Sequence, residues 1–210
     1  MTCKICQTRR PRRHCPGVEG EICTVCCGTE REITVRCPFD CEFLQEARKH
    51  ERNAEVDPDK FPNQDIRISE NFLREHQHLL LFLARTLLES AFQNGAVDPD
   101  VRQAVDALVR TYRTRESGLY YETRPDGNVA ARLSTRVQEA IEELRNHEQE
   151  QGSVTPTRDA DLLGMLAFVQ RLELSRSNGR PLGRAFLDFL RAHFPHDAAA
   201  VKPDSSLIIP

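Results

Sequence analysis

The residues best equipped for chemistry are eight cysteines, Cys3, Cys6, Cys15, Cys23, Cys26, Cys27, Cys37 and Cys41, all within the first 41 of 210 residues. A thiolate is both a nucleophile and a metal ligand. Two cysteines on a short knuckle can turn their sulfurs toward one ion about 2.3 Å away, whereas a disulfide between such near neighbours is strained. The chain opens Met1-Thr2-Cys3-Lys4 without the apolar run of a secretory signal, and no stretch approaches the roughly 18 apolar residues of a membrane span. The expectation is a cytoplasmic protein with reduced thiols and no membrane partner. Buried free cysteines acting as small apolar residues do not explain the clustering. A thioredoxin-type site needs a βαβ pattern beside its cysteine pair, and none follows. Structural Zn2+, two ions on eight thiolates, is the expected cofactor.

The pairing is less constrained. One local arrangement sets Cys23 and Cys26 on a knuckle, Glu32 to Arg36 on a strand, and Cys37 and Cys41 at the start of a helix, in treble-clef fashion. Gly28 would ease the knuckle and the helix N-terminus would favour thiolates. Cys3, Cys6, Cys15 and Cys27 would then hold the second ion. A cross-braced pairing suits the spacing equally, Cys26 and Cys27 can exchange roles, and His14 can stand in for one sulfur.

Between Cys6 and Cys15 lie Arg9, Arg10, Arg12 and Arg13, and with Lys4 they give residues 1–14 five basic groups and no acid. A metal-stiffened loop presenting arginines can meet phosphates or an acidic protein surface, although the chain's net charge of −3 favours no nucleic acid as a whole. A second partner-binding candidate is Tyr120, Tyr121 and Arg124, where the chain's tyrosines interleave with arginines. The plainer account makes Tyr112 and one of the tyrosine pair core residues and pairs the arginines with Glu116, Glu122 and Asp126. Glu75 and His78 have the spacing of a dimetal-bundle motif, but such a site needs the motif twice. His76 on the apolar stripe and His78 on its flank fit a hydrogen-bonded histidine and a surface one. No catalytic constellation emerges: no phosphate-binding glycine loop, no nucleophile elbow, no paired carboxylates. A non-enzyme is expected.

About fifty residues bury too little apolar surface to fold unaided, so the cysteine segment needs metal. Beyond Cys41 the pattern becomes helical. A short helix runs to about Glu51, and Pro58 and Pro62 mark a linker. Ser69 caps a long helix ending at Gly95, and its apolar residues lie nearly all round, as in a central helix. Asp98 and Pro99 open the next as N-cap and first residue. After a connector from Leu119 to Asn128 three more follow, one with Leu133, Val137, Ala140, Ile141 and Leu144 facing in, one from Thr155 to Thr157, and one from Pro181, and Leu207 to Ile209 are apolar enough to dock back. The fold class is mainly α: a small N-terminal two-zinc module, treble-clef-like or cross-braced, then an all-α helical bundle. The expected divisions are residues 1–56 for the zinc module with its helix, 57–68 for a linker, 69–195 for the bundle and 196–210 for a tail.

The run Arg13-x-Cys15-Pro16-Gly17-x2-Gly20-x-Ile22-Cys23-x2-Cys26-Cys27-Gly28, continued by Cys37-Pro38-x-Asp40-Cys41-x-Phe43-Leu44, resembles a family of uncharacterised bacterial Cys-rich proteins. Tyr112-Arg113-Thr114 and Ser117 to Glu122 look like a second stretch of the same family. That resemblance implies no activity. A looser similarity to HIT-type and MYND-type zinc fingers covers Cys3 to Cys41 and lacks their terminal His-x3-Cys pair. It implies zinc binding and protein interaction. The expected function is a non-enzymatic adaptor for a protein or ribonucleoprotein partner. The alternatives are a thiol-based sensor that ejects zinc on oxidation of Cys26 or Cys27, and a dimetal enzyme on Glu75 and His78.

Overall fold

The computed structural model describes residues 2–51, 57–152 and 156–194. The cysteine segment begins with a hairpin: β1 (Arg13–Cys15) pairs antiparallel with β2 (Gly20–Ile22), Cys15 opposite Gly20. Lys4 Nζ closes the turn by donating to the carbonyls of Val18 at 2.7 Å and Glu19 at 3.0 Å. Gly17 lets that turn lie against the segment after the knuckle, since a Cβ there would stand 2.7 Å from the Arg36 carbonyl oxygen. Cys23 is the N-cap of α1 (Thr24–Thr29), a helix of six residues. Gly28 lies within α1 and has no positive φ, so the knuckle does not rely on it.

The expected strand over Glu32 to Arg36 does not form. The amides of Ile33, Thr34 and Val35 all converge on the Glu30 carbonyl at 3.0–3.2 Å, and Glu32 takes a φ of 54°. Strand propensity in Ile33, Thr34 and Val35 is outweighed because no second strand lies alongside to complete a ladder. Cys41 then leads into α2 (Glu42–His50), whose last turn carries Arg48, Lys49 and His50, as the helix dipole favours. Ile22, Val35 and Leu44 form the module's small core together with the cysteines.

The bundle begins with α3 (Glu70–Glu75) and α4 (Gln77–Asn94). These were expected as one helix, and the interruption is at His76 (φ −107°, ψ 23°). Its ring Nδ1 lies 3.0 Å from the Phe72 carbonyl and its Nε2 3.4 Å from Asp161, so the histidine's partners are local and structural. Both predicted ends hold: Ser69 Oγ accepts from the Phe72 amide at 3.1 Å, and Gly95 takes φ 60°. Next come α5 (Asp98–Glu116), α6 (Asn128–Glu150), α7 (Asp159–Arg176) and α8 (Ala185–His193). Helix α4 is central as expected, packing on α3, α6, α7 and α8, and it shares that place with α7. Helix α7 packs on α4, α5 and α8, and buries Leu162, Leu163, Met165, Leu166 and Val169 together with Gln170 and Glu173. The apolar surplus of α4 is partly outward, with Phe92 48 % exposed.

Asp98 corrects a second expectation. The N-cap of α5 is Val97, and its amide donates to Asp100 at 3.0 Å. Asp98, fully buried, accepts instead from the amides of Phe186 at 2.9 Å and Leu187 at 3.2 Å, and so caps α8. Pro181 accordingly lies in the turn before α8 rather than opening it.

Module and bundle meet along residues 31–39. Arg36 Nη1 donates to the Gly95 carbonyl at 2.7 Å, and Arg180 Nη1 to the Arg31 carbonyl at 2.8 Å. The rings of Phe39 and Phe92 lie 5.1 Å apart, with the Arg184 and Arg191 guanidiniums 5.1 and 5.0 Å from the Phe39 centroid. The described part of the linker is pinned as well: Arg171 donates to the carbonyls of Asn63 at 2.6 Å and Ile66 at 2.9 Å. The apolar Leu207 to Ile209 lie outside the described residues.

Candidate metal centre

The hairpin folds the chain so that the knuckle before it meets the knuckle after it. Cys3 and Cys6 precede β1, Cys23 caps α1 and Cys26 lies within it. The Sγ atoms of Cys3, Cys6, Cys23 and Cys26 all lie within 4.8 Å of one another, and among the described residues this is the one grouping of three or more potential ligand atoms. Tetrahedral bonds of about 2.3 Å to a zinc would space the sulfurs about 3.8 Å apart, within reach of this arrangement. Four cysteines close together can therefore hold a metal ion. The treble-clef pairing of Cys23 and Cys26 with Cys37 and Cys41 is not what the fold assembles. The pair Cys3 and Cys6 shares the site with the pair Cys23 and Cys26, and Cys27 is not part of it.

Backbone donors are already aimed at the sulfurs. The Cys23 amide donates to Cys3 Sγ at 3.2 Å, and the Cys26 amide to Cys23 Sγ at 3.4 Å. Such N–H groups favour thiolate over thiol and fix the sulfur's direction, as outer-shell partners of a metal ligand do. The Cys6 thiol is drawn down by the Thr8 hydroxyl and by the amides of Arg9 and Thr8. The Cys26 thiol is pushed up by burial and by Cys23, Cys6 and Cys3 around it. The fourth sulfur cannot ionise readily against its neighbours without a cation among them, and a divalent ion removes that penalty. Disulfides do not compete here, as all eight cysteines are free.

The other four cysteines, Cys15, Cys27, Cys37 and Cys41, line a small cavity with Arg13, His14, Ile22, Arg31, Val35 and Phe43, and Cys26 of the first cluster borders it as well. His14 points its Nδ1 to Glu21 at 3.3 Å and is largely exposed.

The basic loop divides in two. Arg9 is exposed but reaches the thiol cluster, its guanidinium held more firmly protonated by a hydrogen bond to Cys23 and by the charges of Cys23 and Cys6. Arg13 stacks over Phe43 with 4.2 Å to the ring centroid and donates to Cys27 Sγ at 3.4 Å. Arg10 and Arg12 remain exposed. Tyr120 and Tyr121 are 92 % and 68 % exposed, so neither is core, while Tyr112 is buried. Arg124 Nε lies 3.6 Å from Glu122, the one pairing of the plainer account found among the described residues. Glu75 and His78 both face solvent, and no ligand grouping forms on them among the described residues. No helix of the described residues is long and apolar enough to cross a membrane.

Reading the chain for motifs overlooks Glu32, the residue that seats the module on the bundle. It is fully buried and accepts from Arg48 Nη2 at 2.8 Å, Asn178 Nδ2 at 2.8 Å and the Arg184 amide at 3.0 Å. A lone glutamate between arginine and isoleucine carries no spacing signal that would reveal this.

Comparison of the chain with known protein families, curated proteins and solved structures finds no match to any of them.

Proposed function

We propose that the chain is a zinc-stabilised, non-enzymatic adaptor that presents the Arg10 and Arg12 edge of its metal-built module to an acidic or phosphate-bearing protein or ribonucleoprotein in the cytoplasm. The observation that carries this is the closed set of Cys3, Cys6, Cys23 and Cys26. Four protein sulfurs fill a tetrahedron and leave no position for a substrate, which is the mark of a structural rather than a catalytic ion. Soft thiolate ligands favour zinc over magnesium, calcium or manganese. The loose similarity of Cys3 to Cys41 to interaction-type zinc fingers accords with the same reading.

The test compares the full chain with its R10E/R12E variant in crosslinking capture from lysate, with and without nuclease. A partner retained by the native chain and lost by the charge-reversed one supports the adaptor, and nuclease sensitivity marks it as a ribonucleoprotein. Capture that is indifferent to the reversal overturns the assignment of this edge. Substrate turnover that survives loss of the metal and fails on mutation of the bundle overturns the adaptor.

One observation favours a second reading, the thiol sensor. Cys27 is half-buried and has two arginine N–H groups directed at its sulfur, from Arg13 at 3.4 Å and Arg31 at 3.8 Å. Positive neighbours and partial access are what make a thiolate oxidisable. Cys26, the other candidate, is only 5 % exposed. Low doses of peroxide that release metal, with recovery on adding reductant, would support a sensor; resistance supports the adaptor.

A further inference from the structure

We propose that Cys15, Cys27, Cys37 and Cys41 close on a second metal ion, cross-braced with the first, and that Arg13 and Arg31 balance its charge. The proposal rests, like the adaptor reading, on a module that folds around metal, and it assigns a site the compact first cluster does not include.

Four lines converge on it. The first is what remains: with Cys3, Cys6, Cys23 and Cys26 gathered at one point, the other four cysteines surround an adjoining space that Cys26 also borders. Cys15 sits at the end of β1, Cys27 within α1, and Cys37 and Cys41 lead into α2, yet all four line one cavity. These are separate elements, and nothing in local chain geometry would bring four sulfurs to one void.

The second is the void itself. It encloses about 10 Å³, close to the space of a single water-sized sphere. Its other walls include Ile22, Val35 and Phe43. These four sulfurs do not all lie within the 4.8 Å that holds the first set, so binding draws them together.

The third is electrostatic. A divalent ion with four thiolates carries a net charge of −2. Arg13 and Arg31 both direct N–H groups at Cys27 Sγ, and both line the cavity. Two guanidiniums on an uncharged thiol would repel one another for no return; around a dianionic centre they neutralise it. The fourth is the helix: Cys41 is the N-cap residue of α2, and its sulfur accepts no capping hydrogen bond from the first-turn amides, so it is left for another role beside the positive end of the helix.

Cys27 and Cys37 also bracket the loop that carries Glu32. An ion held by both would fix the two ends of the segment that seats the module on the bundle.

The experiment is a metal count per chain on the purified full-length protein, by elemental analysis, on the native chain and on C37S/C41S and C3S/C6S. Two zincs in the native chain and one in C37S/C41S are expected. A native count of one, unchanged in C37S/C41S and lost in C3S/C6S, overturns the second site and leaves the first standing. A native count of none overturns both. Retention of two ions in C37S/C41S overturns this ligand set. Because the double variant can fail to fold, NMR of the cadmium-loaded native chain provides an independent reading. Two cadmium signals of tetrathiolate type support the proposal, and a single one overturns it.

Discussion

Glu32 in the cysteine module and Asn178 in the turn before α8 meet at 2.8 Å across 146 residues of sequence. The same carboxylate takes Arg48 of α2 and the Arg184 amide, and its own carbonyl accepts from the Leu182 amide at 2.9 Å. The module is thereby fixed to the bundle by a polar contact with every partner named. Glu32→Ala should destabilise the protein by about 1–3 kcal/mol, because it leaves the Asn178 amide, the Arg184 N–H and Arg48 Nη2 without their acceptor, while the Arg48 charge keeps Asp188 as its partner. Chemical denaturation in zinc-replete buffer measures it, and a loss under about 1 kcal/mol would show the joint to be ornamental.

Asp98 gives a pH signature. Burial pushes its carboxyl up to about 7, against the amides of Phe186 and Leu187 that favour the charged form, with Glu173 and Glu32 adding to the rise. In the unfolded chain the carboxyl titrates near the ordinary aspartate value of about 4. Between those two values the folded state holds the proton and the unfolded state does not. The stabilisation from this group is therefore full below about pH 4 and is lost as pH rises toward 7, with a slope of at most about 1.4 kcal/mol per pH unit. Asp98→Asn should remove that slope. The check is the difference between native and variant stability across this window, and a difference that does not change with pH refutes the assignment.

Gly17 has no room for a side chain. Besides the Arg36 carbonyl, a Cβ there would meet Val35 Cγ1 at 2.8 Å. One of these obstacles is backbone, so Gly17→Ala must shift the hairpin turn, at about 1–3 kcal/mol. The loss should appear both as a lower denaturation midpoint and as faster zinc release to a chromogenic chelator. A variant that holds zinc as the native chain does would place the hairpin outside the metal-binding unit.

Metal removal should unfold part of the protein. With a strong chelator, amides of β1, β2 and α1 are expected to lose hydrogen-exchange protection, because a cluster of thiols and three apolar side chains is too small a core to stand alone. The turn 178–184 should loosen with them through Glu32, while α5 and α7 keep their protection in the bundle core. Unchanged exchange in the hairpin after complete zinc loss would show that the module folds without metal.

The sequence carries the broad plan because that plan is written in local chemistry. Cysteines at knuckle spacing, Ser69 before an apolar run and Gly95 after it each act on atoms a few residues away, and each is found in its role. What escapes is whatever depends on distant partners. Two pairings of the cysteines fit the spacing equally, and only the hairpin between Cys15 and Cys23 decides that Cys3 and Cys6 meet Cys23 and Cys26. Asp98 has the pattern of a helix cap, but the pattern does not say that the helix lies nearly ninety positions onward. The strand expected at Glu32 to Arg36 fails for the same reason, since a strand needs a neighbour and the segment's neighbours are α2 and the turn before α8.

The Glu32 pocket also sets an order in time. A chain made from its N-terminus exposes all eight cysteines long before Asn178, Leu182 and Arg184 exist, so zinc can organise the module while its seat on the bundle is still unmade. During that interval the carboxylate of Glu32 has Arg48 as its one available partner of the three. The module's seat is completed only when the turn 178–184 is made, and a chain that stops short of that turn keeps its cysteine module without these partners to dock it.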